Sequence, residues 1–339
     1  MFAREANSSE IIKGAMADII FLANDCEKGE GPAIAKKFGI RGYPTYYAVN
    51  AQGEPIERWI GYDVAQGWAD RVAAARRDTR TLVEKKAAFA AQPTADLAES
   101  MANDVATGYD WAGSVALFKQ ARDLAPERGD ALTRAILTNM VSSEDTDFTF
   151  EEIRAEGDRL LTAAGTTAED RVDLGSMLMD AAGARGREAD GLPYLERALG
   201  AATGLPDDSR VARTVKFLQI THALLVEKNT PRAVDLRKSL MPANWLEEAK
   251  RLNQFAAWCL GAGVNLDEAE TLVLKAVELA KTDPERVRYL GTAAEVSLKR
   301  GDAATALERG ARALALDPEN EDAKDLVARA EAAQAGKTN

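Results

Sequence analysis

Histidine is nearly absent from this chain: one residue, His222, stands among 339. It falls in the apolar run Phe217-Leu218-Gln219-Ile220-Thr221-His222-Ala223, where a histidine more often packs than acts as a base. His-based triads and His-rich metal centres therefore have almost no material to draw on. Cysteine is as scarce. Cys26 and Cys259 form no Cys-x-x-Cys pair, which excludes a zinc site or dithiol redox centre built from them. They also stand far apart in sequence, and a disulfide requires close approach. No apolar run reaches the roughly 18–20 residues needed to cross a bilayer. Aromatic residues make up 6% of the chain, and no basic patch interleaves with them. The net charge of −11 repels nucleic acid on average. Acidic and basic residues are interspersed, as on solvated helix faces. No nucleophile–base pair or ligand cluster stands out, so no catalytic residue, metal or cofactor is expected.

What is present divides into two unlike segments. Residues 1–78 hold the strand-like part. Ile19-Ile20-Phe21-Leu22-Ala23 reads as a strand buried on both faces. Pro32 begins a short helix through Phe38 that Gly39 stops. Residues 40–49 read as a strand entered through Pro44, Asn50-Ala51-Gln52-Gly53 as a turn, and residues 55–60 as a second, alternating strand. A helix is expected from about Val64 to Arg77.

The stretch Ala35-Lys36-Lys37-Phe38-Gly39-Ile40-Arg41-Gly42-Tyr43-Pro44-Thr45, with the Asn50–Gly53 turn and then Trp59-Ile60-Gly61-Tyr62, resembles the second half of a thioredoxin-like domain. The resemblance implies a cis bond at Tyr43–Pro44, and a groove for an extended peptide lined by Tyr43, Pro44 and Thr45 with Gly61 nearby. The family's first strand and its Cys-x-x-Cys motif have no counterpart here. Met1-Phe2-Ala3-Arg4-Glu5 reads like the tail of the helix that carries that motif. By the resemblance Cys26 ends the second strand, away from the groove. Without an attacking and a resolving thiol, residues 1–78 are expected to be redox-inactive as written, with a hydrophobic edge uncovered. Two readings stay open. In one, Met1 is an internal methionine of a longer thiol–disulfide oxidoreductase. In the other, the domain has lost its dithiol and is kept for binding.

Residues 79–339 lose strand signals and become alanine-rich and helical. In Gly301-Asp302-Ala303-Ala304-Thr305-Ala306-Leu307-Glu308-Arg309-Gly310-Ala311-Arg312-Ala313, ending at Pro318, the pattern resembles the turn and second helix of a tetratricopeptide repeat (TPR). Small residues stand early in that helix and seven later, at Ala306 and Ala313. The same pair recurs 37 residues earlier (306 − 269 and 313 − 276) as Ala269 and Ala276. Ser114, Ala121 and Pro126 form an earlier copy, and weaker ones lie near Gly191, Ala198 and Ala233. Small residues let hairpin helices approach closely, and stacked hairpins bury what one cannot bury alone. Register is not legible from 140 to 240. Asn253, Gln254 and Trp258, with Arg288, Tyr289 and Thr292, are candidates to line the face formed by the first helices.

The expectation is thus a mixed chain: a partial α/β thioredoxin-like domain over 1–78 followed by an all-α TPR-like helical solenoid over 79–339. It is expected to be a protein-binding scaffold whose partner is a protein or extended peptide, without nucleic acid, membrane span or small-molecule cofactor. As written it is expected to be soluble and cytoplasmic, or to belong to the cell envelope if a leader lies upstream of Met1.

Overall fold

A computed structural model of the chain describes residues 9–62, 65–143 and 147–336. The helix tail expected at Met1–Glu5 lies outside the described residues, as does Val64. The chain forms two compact units, Met1–Arg197 and Ala198–Asn339.

The first unit begins with helices α1 (Glu10–Met16) and α2 (Gly31–Phe38), then strands β1 (Thr45–Val49) and β2 (Pro55–Ile60), then α3 (Ala65–Arg77). Pro32 sits in the first turn of α2, and Gly39 closes it in the left-handed region at φ 62°, a conformation glycine adopts without steric cost. The two strands pair antiparallel, Thr45 opposite Ile60 and Tyr47 opposite Arg58. Asn50 shapes their turn by accepting from the backbone N–H groups of Gln52 and Glu54 at 3.0 and 2.9 Å. Ile12, Trp59, Trp68 and Val72 make a local core, with Tyr46 stacked on Trp59 at a centroid distance of 5.3 Å.

Two expectations are corrected here. Residues 19–23 are not a strand: Ile19 sits in a bend, residues 20–23 have no regular secondary structure, and none has a ladder partner among the described residues. Ile20 is 91% and Leu22 77% exposed. A strand buried on both faces needs neighbours on both sides, and β-propensity without them is a weak force. The other correction is that β2 does not alternate between buried and open positions. Ile56, Glu57 and Trp59 are all buried, because helices from the following segment cover the glutamate.

The segment that follows holds α4 (Leu82–Ala91) and α5 (Ala95–Ala106), which pack on β2, and then α6 (Trp111–Leu124), α7 (Gly129–Ser142), α8 (Phe150–Thr162), α9 (Ala168–Gly183) and α10 (Glu188–Ala201). Their starts are written locally. Thr81 with Glu84, Thr149 with Glu152, and Thr167 with Asp170 form capping boxes, in which side chains satisfy the first free backbone N–H groups. Val115, Phe118, Leu132, Ile136, Met140, Ile153 and Leu178 fill the core between successive helices. Gly157 lets α8 approach α9: a Cβ there would stand 2.7 Å from a Leu178 methyl.

The second unit contains α11 (Ala212–Leu225), α12 (Thr230–Ser239), α13 (Ala249–Ala262), α14 (Leu266–Leu279), α15 (Asp283–Lys299), α16 (Ala303–Leu316) and α17 (Glu321–Gly336). Each of α13 to α17 packs on the next, and α15 also touches α13 and α17. This is the stacking of TPR-like antiparallel hairpins, each leaning on its neighbour's first helix. No described helix is long and apolar enough to cross a membrane.

Candidate functional site

The structure brings Tyr43, Pro44, Thr45 and Gly61 to one place. The Tyr43–Pro44 bond is cis, and the Gly61 N–H donates to the Pro44 carbonyl at 2.8 Å. The Thr45 hydroxyl donates to the Gly42 carbonyl at 2.6 Å. Tyr43 is 63% exposed, which leaves the turn open on one side. On the other side Arg41 donates to the Gly108 carbonyl at 3.5 Å. Cys26, expected away from this groove, stands beside the Tyr43 hydroxyl, and partial burial and the neighbouring Cys26 hold that phenol above its ordinary pKa. Residues 20–25 carry no regular secondary structure, so Cys26 does not stand at the end of a strand.

Sequence reasoning missed the polar cluster between β2 and the helices that follow. Lys85 of α4 reaches back to β2 and donates to the Ile56 carbonyl at 3.0 Å and to Glu57 at 2.5 Å. Ser100 of α5 donates to the same carboxylate oxygen at 2.8 Å. Arg58 pairs with Asp104 of α5. The strand-bearing segment and the first helices are therefore bound by buried ionic contacts. A second such knot joins α6, α7 and α8: Arg122 holds Glu156 through both guanidinium nitrogens at 2.6 and 3.1 Å and donates to Thr133 at 2.9 Å.

Six of the small residues singled out by spacing are interior, while the turn residues Gly301 and Pro318 are exposed. Ser114, Ala121, Ala269, Ala276, Ala306 and Ala313 are each 0% exposed. Ala306 packs among Ala294 of α15 and Leu326 and Ala330 of α17, and Ser114 donates to Asn139 of α7 at 3.1 Å. Gly301 turns the chain at φ 82°, and Asp302 then caps α16 by accepting from the Thr305 N–H. Pro318 stands in the turn after α16. The weaker copies are interior too: Ala198 and Ala233 are fully buried, and a Cβ on Gly191 would stand 2.8 Å from the Met179 sulfur.

Of the residues expected to line a binding face, Tyr289 does not. It is 2% exposed and belongs to the core with Phe255 and Leu290, because α15 is covered by helices on several sides. Trp258 is half-buried against Phe255 at 5.9 Å. Arg288 is exposed and Gln254 lines a cavity. Arg309 was not singled out in the sequence, yet it is buried and donates to Glu270 at 2.6 Å, Ser297 at 2.5 Å and the Ala293 carbonyl at 3.1 Å. It ties α14, α15 and α16 together. Gly310, in the middle of α16, marks a close contact in which a Cβ would stand 2.7 Å from a Val327 methyl. A glycine inside an alanine-rich helix was the available signal.

His222 contacts Glu227 at 3.0 Å, and among the described residues no three metal-ligating side chains gather. Both cysteines are free. Burial pushes the Cys259 thiol up to about 12, and only the thiolate is nucleophilic. Iodoacetamide at pH 8 is therefore expected to modify one thiol per native chain, Cys26, and to reach Cys259 only after denaturation. Peptide mapping checks this, and prompt native labelling of Cys259 would contradict its burial.

Neither a protein-family model nor a curated protein matches this chain. Among solved structures similar to this chain is PilW, a widely conserved type IV pilus biogenesis factor, which aligns with a TM-score of 0.45 at 15% identity, over 69% of this chain and 98% of PilW. At that level of likeness, function has to be read from this chain's own residues.

Proposed function

We propose that the chain is a protein-binding scaffold, with TPR-like hairpins presenting a surface for a protein or an extended peptide. Residues 1–78 are, on this reading, a thioredoxin-like half-domain that binds or packs and does not exchange disulfides, and 79–339 form the helical array. The observation that carries the scaffold reading is the complete burial of the six small residues at seven-residue spacing. Their helices are built for mutual packing, and among the described residues no cluster of catalytic groups accompanies them. Tyr43, Pro44, Thr45 and Gly61 would receive an extended segment beside the open phenol.

One observation favours a second reading. The uncovered apolar run at Ile20 and Leu22 is surface that a further element of a complete thioredoxin-family oxidoreductase would cover, with the array as substrate-recruiting arm. An extended-peptide library panned on the immobilised chain, with hydrogen exchange mapping of the peptides retained, tests the scaffold. Retained peptides should protect helices of the array or residues 43–45. A library with no sequence-selective binder would sink the proposal. Insulin reduction by the chain in dithiothreitol should not exceed the uncatalysed rate, and a clear acceleration would refute redox inactivity.

A further inference from the structure

Within the second unit, α11, α12, the turn at 240–242 and α13 enclose a cavity of about 310 Å³. Its charged lining is of one sign. Arg213 of α11, Arg237 of α12 and Arg251 of α13 all border it, beside Met241, Pro242 and Gln254, and no carboxylate does. In a chain of net charge −11, three guanidinium groups around one cavity whose lining holds no carboxylate run against the overall composition.

The arrangement is held in place. Arg213 and Arg237 flank one ring, Phe217, at 5.5 and 5.6 Å, and Arg237 also lies 5.7 Å from Trp258. These cation–π contacts anchor both guanidinium groups beside the rings without using their N–H donors. Neither forms an ion pair among the described residues. Arg251 is partly neutralised, 3.6 Å from Glu248 and 3.0 Å from the Gln254 amide oxygen. The Nε of Arg237 is shielded from solvent and has no hydrogen-bond partner, a situation that native proteins rarely leave without a ligand or water to satisfy it. Burial first, and the charge of Arg213 second, hold the Arg237 guanidinium below its ordinary pKa.

We propose that this cavity is an oxyanion site that takes a phosphoryl dianion. Two unneutralised guanidinium groups call for two negative charges, and a phosphoryl group carries both on one centre with three acceptor oxygens. A single carboxylate supplies one charge. The site goes beyond the scaffold function and stands whether or not the array binds protein. The group is either free phosphate or the head of a phosphate monoester, and the two are separable by experiment.

Titration calorimetry on the full chain at constant ionic strength, with chloride as the background anion, tests this. Inorganic phosphate and O-phosphoserine are the probes, and acetate and succinate the carboxylate controls. Phosphate or phosphoserine should bind with one site per chain and more tightly than either carboxylate. The tighter of the two identifies the source as free anion or monoester. Arg213→Gln, an exposed position that should leave folding intact, should weaken binding by about ten- to a hundredfold, the loss of one charge-assisted contact. Arg237→Met keeps the stem over Phe217 and Trp258 and should abolish binding. No phosphate or phosphoserine heat above the chloride background overturns the proposal. So does acetate or succinate binding as tightly as phosphate, or an unchanged affinity in Arg213→Gln with the fold intact.

Discussion

Glu57→Leu is expected to cost about 3–5 kcal/mol, the penalty typical of removing one partner of a buried pair. Lys85, with a side chain only 1% exposed, would keep its charge and lose its carboxylate, retaining the Ile56 carbonyl at 3.0 Å as acceptor. Ser100 would lose its acceptor as well. The companion Glu57→Leu/Lys85→Met should recover most of the loss, since replacing both members of such a pair by apolar groups is often neutral or stabilising. Urea unfolding followed by tryptophan fluorescence reads both variants, because Trp59 and Trp68 sit in the adjacent core. A single variant within about 1 kcal/mol of the parent, as for a solvated pair, would show that water already reaches the cluster.

Phe255→Ala is expected to cost about 3–5 kcal/mol, the range for deleting a fully buried aromatic side chain. Phe255 is 0% exposed and joins α13 to the core shared with α14 and α15, among Leu252, Cys259, Val273 and Leu290. Trp245 at 5.2 Å and Trp258 at 5.9 Å lean on its ring, so the cavity cannot close without moving both. The variant should also admit iodoacetamide to Cys259, one helical turn away. Hydrogen exchange across α13–α15 should rise in step with the alkylation rate. Unchanged exchange there would mean that the joint is carried by other residues.

How much of this was legible in the sequence follows the range of the forces involved. Helix starts are local in origin, because caps act over three residues: Asp302 with Thr305, and Thr81 with Glu84. The seven-residue spacing of Ala306 and Ala313 was readable because it reflects the pitch of one helix. The pairing of Glu57 with Lys85 was not, since 28 residues separate them and a strand glutamate reads as solvent-facing. Arg309 hid for the same reason, its partners Glu270 and Ser297 lying on two other helices. The run at 19–23 misled because apolar, β-branched residues state a preference for being covered without naming what covers them. The arginine cavity was invisible because Arg213, Arg237 and Arg251 come from three helices, and the register of the first two, in the middle of the chain, was not legible in the sequence.

The stacking of α13 to α17, in which successive helices pack on one another and α15 also touches α13 and α17, has an evolutionary corollary. A closed barrel or a sandwich fixes its number of elements, because every strand has an assigned neighbour around the ring. An open stack has no such closure, so duplicating or deleting one hairpin rewrites two junctions and leaves the others as they were. Among relatives, the count of hairpins is thus free to drift faster than the junction residues themselves. The reach of the molecule can lengthen by whole steps while Ala306, Gly310 and their counterparts stay small.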